Sequence, residues 1–389
     1  MKLRSINNID IAGKFVLLRD DFNVQVVDGK ITDAFRIQQS MPTIKKLRDA
    51  GAKIAICAHF GRPKGVRNME FSLAGVAQYL NTPLVPDCLD KDFMANMKNG
   101  DVVLLENLRF YAGEEKNDED FAKKLAAGFD IFVNDAFGVS HRAHASTVGV
   151  TKFLPAYAGD LLSFEIEKLS NVMSNPVHPL LAIVGGNKIE SKIGVIKSLV
   201  KIADKMMIVG ALGTTFNCAR GEKVGRSLCE MDMKDKAIEI MDFAKENNCE
   251  LYFPVDKGVA KEFKPDSPRM NKPAEDVEDD DIILDEGPAS IARNLEVINS
   301  VKTVIWNGPL GMAEWYPLWA QGTFAVAVEI AKLTKAGKIE SICGGGDTVA
   351  ALEVTGLKDD FTYVSTGGGA FLEFVEGKIL PGIAVLEDK

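Results

Sequence analysis

The sequence predicts an α/β protein of two domains, each a parallel sheet with helices on both faces, and three observations predict it. Short apolar runs of strand length alternate with helix-period stretches along the chain, the pattern of repeated βαβ units. At 389 residues the chain is too long for one ordinary core, given roughly 150 residues per domain. Near residues 160–175 a helical stretch runs into Asn175, Pro176 and Pro179, punctuation that ends a helix and marks a division between two lobes.

In the first half, Phe15–Leu18, Ile54–Ala58, Val102–Leu105 and Phe129–Val133 are apolar throughout rather than alternately, as strands covered on both faces must be. Ala34–Ala50, Leu73–Leu80 and Glu119–Ala127 have helical spacing. Leu161, Leu162, Glu165, Ile166 and Leu169 continue a helix through the division, where it would act as a hinge element or equally as a core helix of one lobe. In the second half the strand-like runs are Leu180–Val184, Lys205–Val209, Glu250–Val255, Thr303–Trp306, Ile339–Cys343 and Phe361–Ser365, with a helix over Met233–Asn247. The acidic stretch Glu275–Asp281 predicts a solvated loop, since consecutive like charges repel.

A composition 46% hydrophobic and 26% charged is that of a globular chain, and the net charge of -9 opposes general nucleic-acid affinity. No apolar stretch approaches the roughly 18 residues of a membrane span. Met1–Asp10 lacks the apolar core of a secretory signal, so the expectation is a cytoplasmic protein. Cys57, Cys88, Cys218, Cys229, Cys249 and Cys343 are dispersed. That spacing predicts small buried hydrophobes rather than a zinc site or disulfide framework.

Arg19, Arg62, Arg109 and Arg142 each follow closely on one of the four strand-like runs of the first half, with Arg36 nearby in sequence. Ligands of open α/β sheets collect beyond the carboxyl ends of the strands. Guanidinium forks bind planar oxyanions and stay charged, so the spacing predicts a pocket for phosphate or carboxylate. The competing reading is a set of scattered surface ion pairs.

The second half offers glycines where the first offers arginines. Val184–Lys192 reads V-G-G-N-K-I-E-S-K, a strand entering Gly185 and Gly186 and then an expected helix with Lys188 and Lys192 on one face. Such cations suit a nucleotide or a phosphoryl group in flight. Ile342–Thr348 reads I-C-G-G-G-D-T and Val364–Ala370 reads V-S-T-G-G-G-A. Glycine lets backbone N–H groups approach phosphate, and a helix start adds about half a positive charge. Asp347 is the candidate magnesium ligand, a helix N-cap being its competing role. Trp306–Glu314 reads W-N-G-P-L-G-M-A-E, another strand-to-loop transition in which Glu314 is a candidate acceptor for ribose hydroxyls, though taken alone the segment is only a turn. Neither G-x-x-x-x-G-K-[ST] nor G-x-G-x-x-G is present, and the protein-kinase catalytic sequences are absent. His59, His141, His144 and His178 lack a nearby nucleophile arrangement, which argues against a triad hydrolase.

Taken in order, these segments resemble the phosphoglycerate kinase family. R-D-D-F-N-V at Arg19–Val24 is similar to R-V-D-x-N-V-P, and A-H-F-G-R-P at Ala58–Pro63 to S-H-L-G-R-P. E-N-L-R-F at Glu106–Phe110 and N-D-A-F-G-V-S-H-R-A-H-A-S at Asn134–Ser146 match closely. So do G-G-x-K at Gly185–Lys188, W-N-G-P-x-G at Trp306–Gly311, G-G-G-D-T at Gly344–Thr348 and S-T-G-G-G-A at Ser365–Ala370. The resemblance implies two Rossmann-like domains joined by a hinge helix. Residues 1–168 would bind 3-phosphoglycerate, 169–370 the nucleotide, and 371–389 would pack back on the first domain. It implies reversible, Mg2+-dependent phosphoryl transfer between ATP and the carboxylate of 3-phospho-D-glycerate, giving ADP and 1,3-bisphosphoglycerate, in glycolysis and gluconeogenesis.

By the same resemblance Asp21, Phe22, Asn23, Arg36, His59, Phe60, Gly61, Arg62, Arg109 and Arg142 would bind the acid substrate. Gly185, Gly186, Lys188, Lys192, Gly210, Asn307, Glu314, Gly345, Gly346, Asp347 and Thr348 would bind the nucleotide, with Asp347 on the metal. Arg36, Lys188, Gly345 and Gly368 would carry the transfer. A monomer without nucleic-acid or membrane partners is implied as well. Gln25, Ala58, Val209, Ala211, Gly213 and Ala313 depart from the family pattern, and Asp285–Pro288 reads D-E-G-P where D-I-G-P is usual. Two other classes share parts of this pattern. A dinucleotide-dependent oxidoreductase would need the absent fingerprint, and a non-catalytic phospholigand-binding protein would need neither Lys188 nor Asp347.

Overall fold

The computed structural model describes residues 2–27 and 30–388. The chain forms two compact α/β units. One comprises the residues up to Lys168 together with those from Lys378 onward, the other Leu169–Gly377.

In the first unit the elements run β1 (Phe15–Arg19), β2 (Gln25–Val27), β3 (Lys30–Asp33), α1 (Phe35–Asp49), β4 (Lys53–Cys57), α2 (Ala74–Leu80), β5 (Leu84–Val85), β6 (Val102–Leu105), α3 (Ala112–Glu115), α4 (Glu119–Ala126), β7 (Ile131–Asn134) and β8 (Ala156–Ala158). Six of the strands form a sheet in the order β5-β6-β4-β1-β7-β8, parallel at every pairing. The chain leaves β1 toward β4 and β6, then returns to place β7 on the other side of β1. That reversal makes β1/β7 the topological switch, and a ligand crevice is expected beyond its carboxyl ends. Val16, Leu18, Ile54, Ile56, Leu104 and Val133 are buried in one cluster with Ile37, Ile44 and Leu47 of α1. Helix α4 begins where the Asp118 carboxylate accepts the Phe121 N–H at 2.8 Å, one of the four orphan donors at a helix start. It buries Phe121, Ala122 and Leu125.

Helix α5 (Asp160–Ser174) crosses the division at Lys168/Leu169. The second unit then runs β9 (Leu180–Val184), α6 (Ile193–Val200), β10 (Lys205–Ile208), α7 (Gly210–Ala219), α8 (Lys234–Glu246), β11 (Glu250–Tyr252), β12 (Asp256–Ala260), β13 (Met270–Pro273), β14 (Ile282–Glu286), α9 (Pro288–Asn299), β15 (Thr303–Asn307), α10 (Gln321–Lys335), β16 (Glu340–Cys343), α11 (Gly346–Thr355), β17 (Tyr363–Val364) and α12 (Gly369–Val375). Its main sheet, β11-β10-β9-β15-β16-β17, is again parallel throughout. The switch here is β9/β15. Finally α13 (Pro381–Ala384) belongs to the first unit, where Gly382 donates its N–H to the Ser140 carbonyl at 2.9 Å and accepts the Asn134 side-chain amide at 3.1 Å.

Several sequence expectations change here. The returning segment begins at Lys378 rather than at residue 371, because Phe371 and Val375 are buried residues of α12. The run Glu250–Val255 stops at Tyr252, ahead of Pro254, which has no N–H for a ladder. The chain then turns into an antiparallel sheet, β13-β12-β14, that the apolar pattern did not indicate. The acidic stretch is only partly solvated. Asp281 is fully buried, its carboxylate held by Lys261 at 2.9 Å and Lys272 at 2.8 Å, and those lysines also engage Glu278 and Asp280. The expected helix bearing Lys188 and Lys192 starts only at Ile193, so the two lysines do not share a helix face. Ile189, fully buried, pins the intervening turn, and the Glu230 carboxylate accepts its N–H.

Candidate active site

At the carboxyl ends of the first sheet, the loops after β1, β4, β6 and β7 carry the predicted cationic residues. Arg19 closes β1, but it is fully buried and is spent on internal contacts. Its Nε donates to Ser146 Oγ at 2.9 Å, a guanidinium nitrogen bonds the Asp20 carbonyl, and another lies 3.3 Å from His59 Nδ1. Ser146 in turn donates to the buried Glu114 carboxylate at 2.6 Å, so Arg19 anchors the loop floor rather than meeting a ligand. Burial pushes the Glu114 carboxyl up despite the opposing charge of Arg19.

Above this floor the chain gathers Asp21, Asn23, Arg36, His59, Gly61 and Arg109. The Arg36 guanidinium donates to the Asn23 carbonyl at 2.7 Å and lies 3.5 Å from the Asp21 carboxylate. Asn23 Oδ1 accepts the Gly61 N–H at 2.9 Å, while the Gly61 carbonyl accepts from Arg109 at 2.8 Å. Gly61 has φ +61°, and a Cβ there would stand 2.3 Å from the Phe71 ring, so only glycine fits. Arg109 also pairs with Glu115 at 3.2 Å. Arg142 is exposed and touches His141 at 3.2 Å.

The concentration of positive charge shows in the histidines. Burial, then Arg19, Arg109, Arg36 and His144, hold His59 well below its usual range. Burial, then Arg19, Arg109, Arg142 and His141, bring His144 down to about 3. Both rings are therefore neutral at physiological pH and can accept as well as donate. Arg62 is exposed in the loop after Gly61. The Phe22 side chain lies wholly in the core, which leaves only its backbone for a ligand, and Phe60 packs at the edge of the same core.

The second unit holds a cavity of about 800 Å³. Gly186, Gly210, Glu314 and Asp347 line it, together with Ala211, Pro254, Phe263, Leu284, Pro309 and Leu310. Apolar walls with a few polar groups are the usual form of a small-molecule site. Backbone geometry dominates its rim. Gly185 lies against Gly308 and Pro309, whose carbonyl would be 2.4 Å from a Cβ. Gly210 (φ +65°) opens the ten-residue helix α7, and Gly345 (φ +102°) precedes the ten-residue helix α11. Helix starts of this kind point free N–H groups at anions.

Asp347 sits in the first turn of α11, exposed, and the N-cap is Gly345, so the capping role considered for Asp347 is not the one it has. Lys192, Asn307 and Thr348 do not line the cavity but brace it. The Lys192 ammonium bonds Asn307 Oδ1, the Asn307 amide donates to the Gly344 carbonyl at 2.6 Å, and Thr348 Oγ1 accepts the Gly308 N–H at 2.7 Å. Burial brings Lys192 down to about 8, against the charges of Asp347 and Glu376. Lys188 is exposed on the loop between Gly186 and Ile189, and Gly346 is exposed at the start of α11. Gly368 precedes α12 with its Cβ direction 3.7 Å from the Gly346 nitrogen, so the two glycine loops abut.

A model of the phosphoglycerate kinase family matches residues 6–378. The chain belongs to the phosphoglycerate kinase family. A phosphoglycerate kinase from Caulobacter vibrioides is 48% identical over 396 residues, covering all of both chains. One from Mesorhizobium japonicum is 49% identical over 387 residues, with 97% of each chain covered. The solved phosphoglycerate kinase of Coxiella burnetii superposes with a TM-score of 0.87 at 41% identity, covering 99% of this chain and 98% of that one. That of Pyrococcus horikoshii gives 0.83 at 28% identity with the same coverage. The protein is thus an enzyme, a phosphotransferase, and among its described residues no helix is long and apolar enough to cross a membrane.

Sequence reasoning missed the buried organisers of both sites. Asn107 Oδ1 accepts the Arg109 N–H at 3.0 Å, its amide donates to the Phe60 and Phe71 carbonyls, and Glu106 accepts from Leu73 and Ser72. Both stand inside the E-N-L-R-F motif, which was the available signal. In the second unit Lys257, Glu286 and Asn217 line the cavity, and burial brings Lys257 down to about 8 and Glu286 up to about 8. The unusual glutamate of D-E-G-P marked Glu286; nothing local marked Asn217.

Proposed function

We propose that the protein catalyses reversible phosphoryl transfer between ATP and the carboxylate of 3-phospho-D-glycerate, giving ADP and 1,3-bisphosphoglycerate, as a cytoplasmic monomer of glycolysis and gluconeogenesis. One observation carries the reading: the first unit gathers Arg36, Arg109 and neutral His59 at the ends of β1, β4 and β6, while the second gathers Gly186, Gly210, Glu314 and Asp347 around one cavity. The former suits a small phosphorylated acid and the latter a nucleotide.

In this reading Arg62, Arg109 and Arg142 anchor the phosphate of the acid substrate, and Asp21, Asn23 and His59 orient its polar end, with the backbones of Phe22, Phe60 and Gly61 lining the approach. The attacking carboxylate is already ionised, so no general base is needed and the protein's work is alignment and charge neutralisation. Arg36 and Lys188 stabilise the migrating phosphoryl group, and the N–H groups at Gly345 and Gly368 supply fixed dipoles. Glu314 accepts ribose hydroxyls; the glycines at 185, 186, 210 and 346, with Lys192, Asn307 and Thr348, shape the phosphate cradle.

Asp347 fits a magnesium ligand: it is an exposed hard-oxygen donor on the cavity wall, with no hydrogen bond to another described residue. A Mg2+ ion bound there with the nucleotide would neutralise phosphate charge. Hinge bending that follows binding of both ligands belongs to the same proposal, and small-angle scattering reads it as a smaller radius in the ternary mixture only. The deciding experiment is a coupled assay for ATP- and 3-phosphoglycerate-dependent formation of 1,3-bisphosphoglycerate, with Mg2+ omitted as control. Turnover that requires all three supports the assignment; nicotinamide-dependent turnover, or ligand binding without transfer, overturns it.

A further inference from the structure

Three sulfur atoms meet in the second unit, on residues that line neither candidate site. The Met231 Sδ lies 3.5 Å from Cys218 Sγ and 3.6 Å from Cys229 Sγ. Cys218 belongs to the last turn of α7 and is buried, Cys229 is partly exposed, and Met231 is 60% exposed. The two thiols also adjoin each other: burial, followed by the neighbouring Cys218 thiol, pushes Cys229 up to about 11. Both cysteines are free.

Thiolate and thioether sulfur are soft donors that select soft cations such as Cu(I) over magnesium or calcium. A three-coordinate metal with sulfur bonds of about 2.3 Å holds its ligands roughly 4 Å apart. The two separations from Met231 are already within about half an ångström of that value. Access is open from the Met231 side, and the positive charge of Lys234 acts on Cys229, where it offsets the charge of two thiolates.

We infer that Cys218, Cys229 and Met231 form a binding site for one soft monovalent cation of the Cu(I) class. On binding, both thiols release their protons to solvent, two metal–thiolate bonds form and the thioether lone pair supplies the third; no electron is transferred.

The site's position gives it a consequence. Glu230 stands between two of the ligands, its N–H donating to Thr215 Oγ1 at 3.1 Å and its carboxylate accepting the Ile189 N–H. A metal that fixes residues 229 and 231 also fixes the residue holding the loop of Lys188, so loading slows phosphoryl transfer. This consequence rests on the phosphoglycerate kinase reading; the binding does not.

The test is an anaerobic titration of the reduced full-length protein with Cu(I) against a chromogenic Cu(I) chelator. One equivalent is expected to bind, with three sulfur scatterers by X-ray absorption. Cys229→Ser and Met231→Leu should each weaken binding about tenfold or more, while Cys249→Ala leaves it unchanged. Failure to retain Cu(I) against the chelator, or equal affinity in Cys229→Ser, overturns the site. Met231 is largely solvent-facing, so Met231→Leu keeps the test decisive if a cysteine variant misfolds. In parallel, one equivalent should lower wild-type turnover about fivefold and leave Cys229→Ser unaffected. Full turnover at full loading would overturn the link to the Lys188 loop, whereas no turnover in copper-free protein supplied with Mg2+, ATP and 3-phosphoglycerate would defeat the proposed reaction instead.

Discussion

At the carboxyl ends of its strands the first unit presents side chains, whereas the second presents mainly backbone. Arg36, Arg109, Asp21 and Asn23 are tied to one another and rest on a buried floor of Arg19, Ser146 and Glu114. The rim of the second site is made of Gly185, Gly186, Gly210 and Gly345, three of them at positive φ. A site built from side chains fails when a charge is removed. One built from backbone fails when a Cβ is added, and each unit is therefore fragile to a different chemistry of substitution.

The largest effect is expected at the floor of the first site. Arg19→Met removes a positive charge that acts on the buried Glu114 carboxylate and the bond to Ser146 that links the two, and leaving a buried charge uncompensated costs about 3–5 kcal/mol. Thermal or urea unfolding measures it, and a loss below about 1 kcal/mol would mean the network does not support the unit. Next, Arg36→Ala should lower kcat about 10²- to 10³-fold, as loss of one transition-state donor does, with nucleotide KM nearly unchanged; near-normal turnover would remove Arg36 from the transfer step. Gly345→Ala tests the opposite kind of fragility. Its Cβ would stand 2.3 Å from Asn307 Nδ2 at φ +102°, so a destabilisation of about 1–3 kcal/mol is expected from backbone strain, and a neutral result would show that the loop can relax.

Asp347→Ala should weaken Mg2+-nucleotide binding about tenfold, or about 1.4 kcal/mol, while calorimetry with 3-phosphoglycerate gives an unchanged affinity. Equal loss of both would point to misfolding. The smallest effect is on titration. Lys192 is held near 8 rather than at its usual 10.5, so its neutral form is favoured above pH 8, and nucleotide affinity should decline as pH rises through that value. His144, held near 3, has the complementary signature: its NMR resonances should not titrate between pH 5 and 8. An inflection near 6.5 would mean that the ring is less buried, and less influenced by the surrounding guanidinium groups, than the structure has it.

The strands of the second parallel sheet and the four central strands of the first were legible because continuous apolar runs such as Leu180–Val184 and Val102–Leu105 have one stable placement, buried on both faces, whereas the short edge strands β5 and β8, of two and three residues, were not. The antiparallel sheet of β12, β13 and β14 was not, since Met270–Pro273 and Asp256–Ala260 mix polar and small residues and are stabilised by pairing rather than by pattern. Of the candidate site residues, those in dense motifs were found readily. Phe22 and Arg19 show the limit of that approach: a motif residue can serve the core beneath a site as well as the site itself, and only burial separates the two. Lys188 and Lys192 show another limit, for Glu230 and Ile189 halt the helix that their spacing suggested. Cys218 and Cys229 show a third, because no sequence spacing revealed that Met231 would bring their sulfurs together.

The bonds between Gly382 and both Ser140 and Asn134 tie α13 to a unit whose strands were made some 200 residues or more earlier. On the ribosome the opening lobe must therefore wait, partly assembled, until translation has passed through the whole intervening lobe. The order of synthesis gives the later lobe the chance to mature first, and makes the waiting one the place where chaperones would be needed.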